Sequence, residues 1–350
     1  MNIEPVSRFS ELHESAVELF VAQRDRDLFL CDYWFELIEQ RVFCTDHDIQ
    51  YLQVIDGASV CAVLPVVRSG RGFVKRSTLR GLANYYSTSF GLITNDQSTE
   101  SFASICQALA SFLAAATPRI AHLELSPWLA PDSEFETMIR ALSAHGFHSE
   151  RFRAFGNYYD DVKGVSFADY LAARPGKLRS LLKRRGKKFS NDCEARFELI
   201  TSPDSLERHL SEYEQVYQAR GRLTEPYPSF IRDVVQRIAS EQRLRLGLLY
   251  ADGQPVAAQI WFINAASASL FKSAFDPSWG KYSTGSLLSA FLIEHFLERD
   301  RVSAIDFLSG DDAYKKDWAS QHQVVSGIEA INRSHLLGRA RLIKRRLRGG

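Results

Sequence analysis

The chain has 350 residues, too many for one small core and enough for two domains. Hydrophobic residues make up 45% and charged residues 24%, the balance of a globular protein rather than of a disordered or membrane-embedded one. A net charge of +1 provides no global field that would select nucleic acid or an anionic membrane, so any such contact must come from a local patch.

The five cysteines (Cys31, Cys44, Cys61, Cys106 and Cys193) are odd in number and scattered, with no CxxC pair. That usage predicts reduced thiols in a cytoplasmic protein and no zinc site. Residues 1–10 contain Glu4 and Pro5 and no apolar run, so no signal peptide is expected. The longest low-charge stretch, 101–116, is too short to span a bilayer.

In chain order, a helix is expected over 11–20, with Leu12, Ala16, Leu19 and Phe20 on one face. Asp32 stands as an N-cap before Tyr33, Trp34, Phe35, Leu37 and Ile38. Strands at 49–55 and 59–67 flank Asp56-Gly57, a hairpin turn signal. Residues 77–93, with Asn84, Tyr85 and Tyr86 among small polar neighbours, read as a loop. Its tyrosines either pack on the rim of a surface turn or line a binding pocket. A helix at 101–116 has Phe102, Ile105, Leu109, Phe112 and Leu113 at helical spacing. A buried strand at 120–125 follows, then a helix at 133–145 ended by Gly146, and Phe147 opens another strand.

Residues 157–162 form a short strand, and Ser166 caps a helix over 167–173. Gly176 precedes a basic helix at 177–189, whose apolar stripe is Leu178, Leu181, Leu182 and Phe189. Three readings of its cations compete: stems lying on the core, a clamp for a phosphorylated substrate, or a contact to tRNA. A strand at 197–200, a helix at 203–220 and a helix at 229–240 capped by Ser229 come next. A meander at 244–250, 256–263 and 269–274 has its own Asp252-Gly253 turn, so the two halves share an order of elements, as a duplicated fold would. Residues 276–285 then open a helix carrying Leu287, Leu288, Phe291, Leu292, His295 and Phe296. Small residues at such a start leave backbone N–H groups for an anion. After a polar segment at 306–318, a last strand spans 323–331 and a basic tail, Arg339 to Arg348, is expected to fray without an assigned function. No G-x-S-x-G elbow, HExxH or Walker loop is present, and the nine histidines form no ligand-spaced pair.

The layout of 244–332 resembles the GNAT acyltransferase superfamily. Phe307 to Trp318, Phe-Leu-x-Gly-Asp-x-x-Tyr-Lys-x-x-Trp, resembles the closing motif of its CelD-like branch of cellulose- and exopolysaccharide-biosynthesis acetyltransferases, itself similar to the FemAB peptidyltransferases. The resemblance implies an α/β (α+β) fold of two tandem GNAT-like domains, each a mixed, mostly antiparallel sheet flanked by helices. Residues 1–161 would shape the acceptor side and 162–350 the donor side.

The same resemblance implies an acyltransferase that uses acyl-coenzyme A and no metal, with direct attack of an amine or hydroxyl on the thioester. The donor loop would be Gly280, Lys281, Tyr282, Ser283, Thr284 and Gly285. It departs from the GNAT pattern Arg/Gln-x-x-Gly-x-Gly/Ala, since Ser283 stands at the inner glycine and Gly280 at the Arg/Gln. Catalytic expectations fall on Asp311 (base or amine orienter), Lys315 (oxyanion or substrate cation), Tyr314 (proton donor to the thiolate) and Asp306. Without the resemblance, Asp311 and Lys315 are simply an ion pair at i, i+4. Acceptor contacts are expected at Asn84, Tyr85, Tyr86, Arg220 and Trp318, with a small molecule or saccharide precursor as acceptor. Two rivals are a FemAB-like transferase using aminoacyl-tRNA and a non-catalytic binding protein on the same frame.

Overall fold

Each half of the chain contains a hairpin whose turn needs left-handed backbone. Gly57 has φ +63°, and Asp252 and Gly253 have φ +49° and +78°, which twists the flanking strands correctly for antiparallel pairing. The computed structural model describes residues 1–44, 47–69, 77–95, 98–219, 221 and 225–347. In chain order the strands are β1 (Asn2–Val6), β2 (His47–Asp56), β3 (Ser59–Ser69), β4 (Thr78–Gly81), β5 (Ile93–Thr94), β6 (His122–Trp128), β7 (Phe147–Asp161), β8 (Ala195–Ile200), β9 (Leu244–Ala251), β10 (Gln254–Asn264), β11 (Ser267–Phe275), β12 (Ala304–Ser309) and β13 (Gln321–Asn332). The chain divides into two compact units, Met1–Phe155 with Val324–Gly350, and Gly156–Gln323.

In the first unit the strand order is β1-β2-β3-β4-β6-β13-β7. The β4–β6 pair is parallel, and the pairs β1–β2, β2–β3, β3–β4 and β6–β13 are antiparallel. Leu123 and Leu125 alternate inward from β6 and meet Phe102, Leu109, Phe135 and Met138 from the helices Thr99–Ala115 and Asp132–Ala144 in one core. Residues 77–93, expected as a loop, contain β4. Four residues with one central apolar side chain are too short to show a period. The expected helix at 11–20 is a 3-10 turn, Phe9–Glu11, followed by a helix at Glu14–Val21. The tail does not fray as expected: Leu336–Arg346 is a helix.

The second unit runs β7-β12-β11-β10-β9-β8, with β11–β12 parallel and its other pairs antiparallel. The helix Thr284–His295 buries Leu287, Leu288, Leu292 and Ile293. It lies so close to β9 that a Cβ on Gly247 would come within 2.7 Å of Leu292. Around it, Trp261, Phe296, Phe307 and Trp318 close the core. The helix Pro228–Ser240 begins after Tyr227, and Ser229, expected as its cap, lies inside its first turn. All five cysteines are free thiols. Among the described residues, no helix is long and apolar enough to cross a membrane.

Candidate active site

The parallel pair of the second unit, β11 and β12, positions the candidate site. β11 and β12 pair at Ser267↔Ala304, Ala268↔Ile305 and Ser269↔Asp306, and there the pairing stops, although the strands continue to Phe275 and Ser309. Parallel strands end at the same edge of their sheet, and backbone groups beyond the last pair are left for other partners. The end of β11 leads through a 3-10 turn, Pro277–Tyr282, into the helix Thr284–His295. The end of β12 leads into 308–312, where Leu308 and Gly310 have φ +50° and +112° and turn the chain back.

Asp306, the last residue of β12 paired with β11, is held from two sides. Its Oδ1 accepts hydrogen bonds from Asn157 Nδ2 at 2.8 Å and from the Leu308 backbone N–H at 2.7 Å. Desolvation pushes its carboxyl above the ordinary carboxylate range, opposed by those two donors and by the charge on Lys315. Lys315 is only 3% exposed. Its ammonium donates to the carbonyl of Ser309 at 2.5 Å and of Leu308 at 3.5 Å, and lies 3.7 Å from Asp312 Oδ2. Burial lowers its pKa, while Asp312, Asp306 and Asp311 hold it up. Lys315 therefore clamps the 308–312 turn from inside and is no surface pair with Asp311. Tyr314 is exposed at the start of the one-turn helix Lys315–Trp318.

Asp311 instead meets a histidine that the spacing of histidines in the sequence did not single out. His322 Nε2 is 2.8 Å from Asp311 Oδ1, and its ring lies on Tyr158 with centroids 4.6 Å apart. A carboxylate only accepts, so Nε2 carries the hydrogen, and in the neutral ring Nδ1 is then the acceptor. The pair closes over Gly156. A Cβ there would be 1.9 Å from Asp311 Oδ1 and 2.5 Å from His322 Nε2. An isolated glycine inside a strand was the available signal for such a close approach.

Behind this pair lies a buried polar support. Arg174 Nη1 donates to Asp160 Oδ2 at 2.6 Å and to the Trp318 carbonyl at 2.7 Å, and Tyr170 OH donates to the same carbonyl. Asp160 Oδ1 accepts from the Ser320 N–H at 2.9 Å and from its hydroxyl. Trp318, expected to touch substrate, has its indole buried in the core and its carbonyl bound in this cluster.

At the expected donor loop, Ser283 has φ +57° and ψ +45°. This is left-handed backbone where the GNAT pattern has glycine, and a serine there costs about 1 kcal/mol. The next residue, Thr284, is buried, and its Oγ1 has no hydrogen-bond partner. The basic helix Gly176–Asp192 packs beside this loop through Phe189, whose ring is 5.4 Å from Tyr282 and 6.1 Å from Trp279. It brings Arg185, which donates to the Lys281 carbonyl, and Lys188, which lies over the Tyr282 ring at 5.7 Å. Lys281 covers the same ring at 4.8 Å, and Tyr282 OH donates to Asp192 at 2.9 Å. Gly280 and Gly285 flank the turn, with open space around the first. Three cations on the turn that leads into a helix N-terminus make a setting suited to a phosphate-bearing ligand.

The expected acceptor residues Asn84, Tyr85 and Tyr86 belong to the first unit. Asn84 Oδ1 builds the turn by accepting from the N–H groups of Tyr86 and Ser87 at 2.9 and 3.1 Å. Tyr86 is buried, and Tyr85 is 77% exposed. Arg220 lies outside the described residues.

Residues 176–316 match the family model described as an acetyltransferase (GNAT) domain. Among solved structures, the fold is similar to FemX, with a TM-score of 0.61 and 10% identity over 94% of this chain and 97% of that one. It is also similar to L-PGS from Bacillus licheniformis, with a TM-score of 0.52 and 12% identity over 98% of each chain. A tandem GNAT protein from the clavulanic acid biosynthesis pathway has a TM-score of 0.51 and 13% identity over 93% of this chain and 98% of that one. No curated protein matches the sequence.

Proposed function

We propose that this protein, whose residues 176–316 match the acetyltransferase (GNAT) domain model, is a cytoplasmic acyltransferase that moves an acyl group from acyl-coenzyme A to an amine or hydroxyl. The observation that carries this reading is the turn before the helix Thr284–His295, where Arg185 meets the Lys281 carbonyl, Lys188 and Lys281 lie over the Tyr282 ring, and the first helical residue, Thr284, has a hydroxyl without a partner. The pyrophosphate of coenzyme A has the charge and the acceptor oxygens for that position. The resemblance of 307–318 to the CelD-like motif supports a small molecule or saccharide precursor as acceptor.

In the transfer, the nucleophile forms a bond to the acyl carbon, the carbon–sulfur bond breaks with its electron pair leaving on the coenzyme A thiolate, and the nucleophile gives up one proton. His322 Nδ1 accepts that proton while Asp311 stabilises the imidazolium through Nε2. Lys315 fixes the 308–312 turn from which Asp311 projects. A second reading, with the acyl group carried as aminoacyl-tRNA, is favoured by the basic helix. Lys177, Arg179, Lys183, Arg184, Lys187 and Lys188 are exposed, and among the described residues none has a carboxylate partner.

Calorimetric titration with acetyl-coenzyme A, free coenzyme A and longer acyl thioesters separates the readings. Micromolar binding is expected, weakened at least tenfold in the double variant R185A/K281A. Silence at millimolar ligand, with salt-sensitive retention of tRNA by the basic helix, would replace this donor by the second.

A further inference from the structure

The C-terminal helix Leu336–Arg346 has two faces with different surroundings. His335 caps it, accepting the Leu337 N–H on Nδ1 at 3.1 Å. Its inward face is engaged within the first unit. A Cβ on Gly338 would come within 2.1 Å of the Asn332 carbonyl, and Arg345 donates to Glu329 at 3.0 Å and to Glu150. At about 100° per residue, Leu336, Ala340, Ile343 and Leu347 fall on one stripe opposite Gly338 and Arg345. Leu336 is 80%, Ile343 59% and Leu347 81% exposed. Leu336 and Leu347 are the two most exposed large hydrophobic side chains among the described residues. Arg339 and Lys344 flank the stripe on either side, with Arg341 further round, and none of the three has a carboxylate partner among the described residues.

We propose that this helix docks on an anionic lipid surface. It would lie in the plane of the headgroups, with Leu336, Ile343 and Leu347 inserted and Arg339 and Lys344 against phosphates. The helix is far too short to cross a bilayer, so it can only lie on one. An aliphatic stripe between cations combines the two weak signals that together hold a protein reversibly at a membrane. RNA uses the cations but gives three aliphatic side chains nothing to stack on. A symmetric contact with a second copy buries the stripe but sets Arg339 and Lys344 against like charges. Because the net charge of the whole chain is only +1, attraction is local rather than global, and what Arg339 and Lys344 supply must weaken with salt.

The test is co-sedimentation with vesicles of phosphatidylcholine alone and of phosphatidylcholine with phosphatidylglycerol in equal parts. The full chain is expected to pellet with the mixed vesicles, to stay in solution with the neutral ones, and to be released by high salt. L336Q/I343Q/L347Q and R339E/K344E are each expected to bind the mixed vesicles at least tenfold more weakly. Full-chain protein that ignores both vesicle types overturns the proposal, and that comparison needs no variant. Three other results also overturn it: unchanged binding by the triple variant, a dimer abolished by the triple variant without vesicle binding, or retention on RNA without vesicle binding.

Discussion

Gly156, a glycine inside β7, decides how closely its site can pack. With only hydrogen on the α-carbon, the Asp311–His322 pair can close directly over the β7 backbone. Gly156→Ala places a methyl 1.9 Å from Asp311 Oδ1, an atom at the free end of a short side chain that rotates away at little cost. Turnover is therefore expected to fall tenfold or more while the urea midpoint barely moves. Steady-state kinetics alongside denaturation checks this, and an unaltered rate would remove the pair from the mechanism. Asp306 gives a different signature. Its folded pKa is raised, so the folded state holds the proton to higher pH than the unfolded chain does. That stabilisation is complete below the ordinary carboxylate value and is lost as pH rises through the raised folded value. Asp306→Asn should remove this decline, by at most about 1.4 kcal/mol per pH unit, in urea titrations run upward from about pH 4. Neither group was legible in full. Asp311 was found by its motif, whereas His322 lies eleven residues on, across a turn, a short helix and a strand start, and no periodic signal connects the two.

At the scale of elements, hairpins and apolar helices read well because their signals are local. Gly57-Ala58, one residue on from the expected Asp56-Gly57, and Asp252-Gly253 close the two hairpins, and the buried face of Thr99–Ala115 repeats at helical spacing. What did not read is support by polar groups distant in sequence. Ser166 was recognised as a cap, and its hydroxyl does accept from the Asp169 N–H at 3.2 Å, but the role of Arg174 just past that helix was invisible. Its guanidinium is buried and shared between Asp160 and the Trp318 carbonyl, so it ties the end of one helix to a strand and to the turn leading into β13. Removing one member of a buried pair strands the other charge, at about 3–5 kcal/mol. Asp160→Asn also weakens the acceptor for two Ser320 donors. Urea unfolding followed by near-ultraviolet circular dichroism should show a loss of that size. A cost under about 1 kcal/mol would mean that the Trp318 carbonyl alone satisfies the guanidinium.

At the scale of the whole molecule, the tandem GNAT-like plan was readable from the order of elements, but the closing of the first unit was not. Its sheet takes β13 from the far end of the chain, and a short β-rich run carries no mark of which sheet it will join. β13 pairs with β6 and buries Val325, Ile328, Ala330 and Ile331. Burial of each of its three large β-branched residues is worth about 1.5–3 kcal/mol. Their sum is comparable to the whole stability of a typical domain, about 5–15 kcal/mol. A chain ending at Gln323 should therefore lose the first unit entirely, and one ending at Arg333 should keep it, because only the C-terminal helix is removed. Amide exchange distinguishes the two. In the shorter chain, β2, β3 and β6 should exchange at unprotected rates while β9, β10 and β11 stay protected, and in the longer chain both groups should remain slow. Protection of β6 in the shorter chain would show that β4 alone holds that strand and that β13 is an accessory rather than the closing member of its sheet.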